Sequence, residues 1–374
     1  MRVAVNVEQL LSSSPGGIGR YTARLVGILA DLGVEVQPVT ALHRRSRVIA
    51  AWAEAGLQGK VRLPKIFWLP KPALYDAWHL LGWPPTSWDV DVVHAPSLAV
   101  LPSHGKPLVV SVHDAAPVLF PEAFTPRGRW FHAMGLRATA KRADLVITGS
   151  EAAAAELVEH TALRPERVRV VPYGVDRTGP DPQALERFGL DGVNYVLWVG
   201  SLEPRKGVGT LVAAMARLLK SNAALSGTSL VLAGYAGWQN ASLLAKEDLA
   251  QLGPALRRLG RLSARELAAL YSGAAVFAFP SLHEGFGLPV LEAMAAGAPV
   301  VASDIPSLRE VSGGAAMLVP ARDVEAWAEA LEALLLRPAL RAEMAEAGRQ
   351  HASRFSWEAT VAATLDVYRE VAGL

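Results

Sequence analysis

The chain has 374 residues, with 37 Lys+Arg against 35 Asp+Glu for a formal net charge of +2. Its 51% apolar content supplies enough surface to offset folding entropy, which excludes intrinsic disorder, and its length calls for two domains rather than one core. A near-zero net charge argues against nucleic acid as the main partner, and the absence of cysteine excludes disulfides, thiolate zinc sites, iron–sulfur clusters and a cysteine nucleophile.

Residues 1–8 lack the apolar run of a signal peptide, and no long apolar stretch escapes a charge or a Pro/Gly break, so no transmembrane helix is expected and a cytoplasmic location is. Residues 3–7 read as a strand, then a Ser/Gly loop, then a helix over 19–32 closed by Gly33. The next strand covers 34–39. Arg44-Arg45-Ser46-Arg47 reads as a solvated loop, with contact to anionic lipid as the alternative. Residues 65–83 interleave aromatics with lysines, a pattern that suits a lipid-linked acceptor or membrane surface, stacking on sugars, or a helix packed on the first domain. Residues 92–94 and 108–112 read as short strands buried on both faces, and 145–148 and 168–171 complete the first half.

A turn-rich linker over 177–182 precedes a second alternation. Strands are expected at 195–199, 229–233, 275–279, 299–302 and 315–319. Helices are expected at 207–220 and 264–271, the latter with a capping box in Ser263 and Glu266, and a last helix is N-capped by Ser356. The pattern is α/β: two tandem doubly wound domains, 1–178 and 190–355, with a ligand expected in the cleft between them, outside the carboxyl ends of the strands. Residues 1–178 carry 20 Lys+Arg and 15 Asp+Glu, hence +5, and the rest 17 and 20, hence −3.

Gly16-Gly17-Ile18-Gly19-Arg20 stands between the first strand and the first helix. Glycines there allow close backbone approach, and a helix N-terminus offers amides and a positive dipole end to a phosphate; a tight turn is the other reading. The long preceding loop and the lack of a ribose-binding acid after the second strand disfavour NAD. His113-Asp114 ends the strand 108–112, where catalytic groups of α/β enzymes stand. The imidazole would donate to a substrate hydroxyl or stabilise developing charge, or else cap the strand. Arg205-Lys206 before a helix N-terminus forms a diphosphate trap, with a solvated pair as the alternative.

In residues 281–292, Glu284 follows a strand, Gly285 and Gly287 free the backbone, Pro289 suits a first helical turn, and Glu292 lies about one turn into the helix. Two carboxylates at that separation would each hold hydroxyls of one sugar-containing ligand. Asp89-Val90-Asp91 spells the D-x-D of metal sites but precedes a buried strand with no second acid cluster, so it reads as a strand-entry turn and no metal is expected.

The run from Glu284 to Glu292 resembles the E-x7-E motif of retaining glycosyltransferases of family 4 (group 1), which have the two-Rossmann-domain GT-B fold. The likeness spans nearly the whole chain. Gly16–Tyr21 is similar to the family's glycine loop, and Val112-His113-Asp114 with Phe120-Pro121-Glu122 resembles bacterial polysaccharide mannosyltransferases. The run 171–176 is similar to the end of the family's first domain, and 199–207 to its donor loop. The resemblance implies that Arg205 and Lys206, with backbone at Gly16-Gly17 and Gly287-Leu288, hold the donor diphosphate. Glu284, Gly285 and Phe286 would meet the donor sugar and Glu292 the ribose, with the nucleobase near Gly234 and Arg261-Leu262. His113 with Asp114 would stand at the reaction centre, and the helix over 356–374 would pack back on the first domain.

The implied activity is retaining, metal-independent and cofactor-free. It moves a hexose, mannose from GDP-mannose first and glucose from UDP-glucose next, onto a glycan or glycolipid acceptor. Separately from the resemblance, the basic first half allows peripheral contact through the N-terminal domain at the inner face of a membrane. Two rivals stand beside it. A non-hydrolysing sugar-nucleotide epimerase would epimerise the donor without acceptor, and an inactive nucleotide-sugar-binding protein would bind donor without turnover.

Overall fold

A computed structural model describes residues 1–12, 15–84, 88–234 and 245–374. The chain forms two compact units, one of Met1–Gly174 with Ser356–Leu374 and the other of Val175–Phe355. The first holds a seven-stranded sheet of β1 (Arg2–Asn6), β2 (Glu35–Thr40), β3 (Lys65–Ile66), β4 (Val92–Ala95), β5 (Leu108–Ser111), β6 (Leu145–Thr148) and β7 (Val168–Val170), in the order β3-β2-β1-β4-β5-β6-β7. The second holds a six-stranded sheet of β8 (Tyr195–Val199), β9 (Ser229–Ala233), β10 (Leu256–Leu259), β11 (Val276–Phe279), β12 (Val300–Ser303) and β13 (Met317–Val319), in the order β10-β9-β8-β11-β12-β13. Every neighbouring pair is parallel.

Central strands such as β5 and β11 are buried along their whole length, because crossover helices cover both faces of a parallel sheet. In the second unit Trp198 of β8 and Val301 of β12 share a core with Leu211 and Met215 of helix Val208–Ser221 and Trp327 and Leu331 of helix Val324–Leu336. Each sheet reverses its winding once, between β1 and β4 in the first and between β8 and β11 in the second, and ligands of doubly wound sheets bind at that switch point.

The expected elements differ from the observed ones in a few places. The first helix is Gly16–Asp31, so the glycines form its opening turn rather than a loop before it. Arg44–Arg47 is no loop: Arg44 is the N-cap and Arg45 the first residue of helix Arg45–Glu54. Strand β3 has only two residues, and edge strand β10 reads Leu-Arg-Arg-Leu, so neither shows the apolar run by which a strand is recognised. Among the described residues no helix is long and apolar enough to cross a membrane.

Helix Trp357–Ala372, capped by Ser356 Oγ accepting from the Ala359 N–H, completes the first unit. Its Thr360 hydroxyl donates to the Pro172 carbonyl at 2.8 Å. Buried Tyr368 meets His94 Nδ1 at 2.5 Å, His94 Nε2 meets Ser111 Oγ at 2.9 Å, and Ser111 meets the Tyr21 hydroxyl at 3.0 Å. Burial, with His113 nearby, pushes the His94 pKa down to about 3, so the chain of polar groups that joins this helix to β4, β5 and helix Gly16–Asp31 carries no charge at neutral pH.

Candidate active site

The loops that leave the carboxyl ends of β8 and β11 run against each other. After β8 come a turn over Pro204–Lys206, Gly207 and helix Val208–Ser221; after β11 come residues 280–287 and helix Leu288–Ala296. The Leu282 N–H donates to the Arg205 carbonyl at 2.8 Å, and Arg205 Nη1 donates to the His283 carbonyl at 2.9 Å. Gly207 has φ +63°, and a Cβ there would lie 1.8 Å from the Pro280 carbonyl oxygen. Only glycine lets the two loops approach this closely.

Where they meet, Lys206 Nζ donates to Glu284 Oε1 at 2.7 Å, and Ser281 Oγ donates to the same oxygen at 2.6 Å. Arg205 Nη1 lies 3.9 Å from Glu284 Oε2. The Arg205-Lys206 trap and Glu284, read from the sequence as separate features, are thus one site, with all three side chains largely buried. An ammonium has three protons; one is committed to Glu284, and two remain for another acceptor. Burial alone would raise the Glu284 pKa, but the charges of Lys206 and Arg205 and the hydrogen bonds from Lys206 and Ser281 outweigh it and hold the carboxyl below its ordinary range.

A depressed folded-state pKa means that the unfolded chain binds more protons as pH falls. The stability Glu284 contributes is therefore full above the ordinary carboxylate range and lost as pH falls through it towards the lower folded value. Urea titrations at neutral pH and near pH 4 should show a smaller loss on acidification for Glu284→Gln than for the parent. An equal loss would place the acid sensitivity elsewhere.

The remaining residues of this unit fall into place around the pair. Gly287 is the N-cap of helix Leu288–Ala296, so Leu288 opens its first turn. Glu292 accepts a hydrogen bond from the Tyr271 hydroxyl at 3.0 Å. Gly285 and Phe286 are buried within the loop, and the Phe286 ring packs edge-on to Phe355. Gly234 follows β9, with its N–H donating to the carbonyl of Leu259 at the end of β10, and exposed Arg261 and half-buried Leu262 follow β10. Those three stand together on the β9–β10 side of β8.

In the first unit Gly16 and Gly17 are exposed at the start of their helix, Gly16 with φ +59°. His113 follows β5, and its Nε2 meets the Pro96 carbonyl at 2.8 Å beyond the end of β4. A carbonyl only accepts, so Nε2 carries the proton and Nδ1 accepts from the Tyr173 hydroxyl at 2.6 Å. Burial lowers the imidazole pKa despite the Pro96 carbonyl and Asp114, which favours this neutral form. Both ring nitrogens are engaged, so His113 donates to a substrate only by releasing Pro96. Asp114 Oδ1 accepts from the Ala116 N–H at 3.0 Å and caps the turn that follows.

Two family models match the chain in tandem. Residues 15–178 match glycosyltransferase family 4, and residues 184–351 match glycosyl transferases group 1. An Acidothermus cellulolyticus D-inositol 3-phosphate glycosyltransferase is 30% identical over 95% of this chain and 86% of its own length. The chain belongs to the family 4, group 1 glycosyltransferases. An Escherichia coli O-antigen chain mannosyltransferase B is 28% identical over 94% of this chain and 96% of its own. The fold is that of Anabaena HepE in complex with UDP-glucose, with a TM-score of 0.75 at 19% identity over the full length of both chains. This is an enzyme of the GT-B fold that transfers glycosyl groups.

Sequence reasoning gave Ser281, Tyr173 and Pro96 no role in this glycosyltransferase. Ser281 stands three residues before Glu284, a local signal open to notice, whereas Tyr173 lies 60 positions from His113 and nothing local links them. The Asp89-Val90-Asp91 turn lies at the amino ends of the central strands β1 and β4, where Asp91 Oδ2 accepts from the Arg2 N–H at 2.7 Å and Asp89 pairs with the Arg2 guanidinium. Both acids fasten the start of β1.

Proposed function

We propose that this glycosyltransferase moves a hexose from a nucleoside diphosphate sugar to a glycan or glycolipid acceptor in the cytoplasm, with retention and without a metal. The observation that carries this reading is the joined Arg205–Lys206–Glu284–Ser281 cluster at the switch point of the second sheet. The two cations and the first-turn amides of helix Leu288–Ala296 would neutralise the donor diphosphate. Glu284, with backbone at Gly285 and Phe286, would orient the sugar. Glu292 would hold the ribose, and Gly234, Arg261 and Leu262 would border the base.

In the transfer, the acceptor oxygen forms a bond to the anomeric carbon as the bond to the diphosphate oxygen breaks. The nucleoside diphosphate leaves with the electron pair and takes up the acceptor proton on the side of attack, which retains configuration. Each fixed donor aimed at the developing phosphate charge lowers the barrier by about 3 kcal/mol. In the first unit His113, oriented by Tyr173 and flanked by Asp114, would exchange its Pro96 bond for a substrate hydroxyl.

GDP-mannose is the favoured donor, supported by the His113–Glu122 stretch and by the E. coli mannosyltransferase relative. UDP-glucose is the second reading, supported by the Anabaena neighbour that holds it. A screen of GDP-, UDP-, ADP- and dTDP-sugars by thermal shift and hydrolysis should single out GDP-mannose, with turnover unaffected by EDTA. Loss of turnover with EDTA would overturn the metal-independent reading, and a shift with UDP-glucose alone would replace the donor.

A further inference from the structure

The segment 65–83 divides between two environments. Phe67, Leu74, Tyr75 and Trp78 are in the core, whereas Trp68 is 62% exposed, Leu80 57%, Leu81 75% and Trp83 39%. Trp68 and Trp83 pack edge to face at 5.3 Å, and Leu80 and Leu81 end helix Lys71–Leu81 just before Trp83. The patch continues across the sheet edge: the Leu42 N–H donates to the Leu69 carbonyl, and Leu42 is 51% exposed. Next to Leu42 stand exposed Arg44 and Arg45, with Lys65 and Lys71 on the neighbouring segment.

The two arginines do nothing for the helix they open. They stand at its positive dipole end with no acid in the first turn, an arrangement that costs local stability. Among the described residues neither is in an ion pair. The loop that presents them is nonetheless held firmly: His43 Nε2 donates to buried Glu8 at 2.9 Å, Thr40 and the Ala41 N–H donate to the same carboxylate, and Arg47 donates to the Leu11 carbonyl.

We infer that this patch of Trp68, Trp83, Leu80, Leu81 and Leu42, edged by Arg44 and Arg45, docks the enzyme on an anionic lipid bilayer. Indole rings suit the headgroup boundary, leucines reach the acyl chains, and unpaired arginines meet lipid phosphates. A second copy of the chain is a poor occupant, because a two-fold contact would bring like charges together. Over residues 42–49 and 63–83 the one acid is Asp76, which already pairs with Arg127. The patch follows the carboxyl ends of β2 and β3, and Gly16 and His113 likewise follow the carboxyl ends of β1 and β5. Docking there brings a membrane-held acceptor to the side of this unit that holds its candidate residues. The inference rests on the proposed function only for that last point, and vesicle binding is read without turnover, so the two fail separately.

The full chain should co-sediment with vesicles of phosphatidylglycerol and phosphatidylcholine, bind phosphatidylcholine alone far less, and be released by salt. Trp68→Ser with Leu81→Ser, and separately Arg44→Glu with Arg45→Glu, should each lower the partition coefficient about tenfold or more, with the thermal transition and soluble donor hydrolysis unchanged. The charge reversal favours the helix it opens, so its effect is not one of unfolding. No binding to either vesicle, binding indifferent to both double variants, or a concentration-dependent dimer that the Trp68/Leu81 variant abolishes would each overturn the proposal.

Discussion

Replacing Lys206 by alanine is expected to lower kcat by about 10²–10³-fold, the usual cost of removing one fixed donor from a developing negative charge. The loss should fall on kcat more than on donor affinity, because phosphate charge grows in the transition state. The variant also strips Glu284 of its nearest cation, 2.7 Å away, and leaves the carboxylate to Arg205 at 3.9 Å. Its pKa then moves up towards the value that burial alone favours. Lys206→Arg keeps the charge but spreads it over a planar fork and should restore only part of the rate. Initial-rate kinetics with saturating acceptor, alongside donor binding by calorimetry, separate the two effects. An unchanged kcat with raised KM would show that Lys206 holds the ground state and the transition state equally and does not accelerate the chemical step.

Gly207→Ala should damage both stability and turnover, and more than its single methyl group suggests. Left-handed backbone costs a non-glycine residue about 1–2 kcal/mol, and here the new Cβ would press against a backbone carbonyl that no side-chain rotation relieves. Overpacking of that kind adds about 1–3 kcal/mol, which together lowers the Tm of the unit Val175–Phe355 by roughly 5–15 °C. Turnover falls as well, because the loops forced apart carry Lys206 and Glu284. Gly16→Ala is the matched control: φ is +59°, but nothing lies within 4 Å of the added Cβ, so only the backbone cost of about 1–2 kcal/mol is expected. Calorimetric Tm values that fell equally for both would show that close approach at Pro280 adds nothing.

Most of the fold was legible because parallel strands buried on both faces are written as unbroken apolar runs. Leu108–Ser111 and Val276–Phe279 read as strands without any tertiary knowledge. So did the Ser263–Glu266 capping box, whose hydrogen bonds are local. Strand β10 escaped notice because an edge strand tolerates its two arginines, and the helix after Arg44 escaped notice because its basic opening goes against the usual first-turn chemistry. The site was legible as an inventory and not as a geometry. Arg205, Lys206 and Glu284 each stood out, yet only the fold shows Lys206 bonded to Glu284 across 78 positions. For His113 the residue was legible and its engagement was not, since Tyr173 and Pro96 reach it from distant segments.

The polar chain from Tyr368 through His94 and Ser111 to Tyr21 has a consequence for biosynthesis. The first unit is discontinuous along the chain, so its sheet emerges from the ribosome long before residues 357–372 exist. Until then His94, Ser111 and the apolar positions that Trp357 and Val361 will cover lack their partners, and the whole second unit has time to form first. Of the two units, the one started first is therefore the one finished last, and a nascent chain stalled before residue 356 exposes an open sheet face to chaperones and proteases.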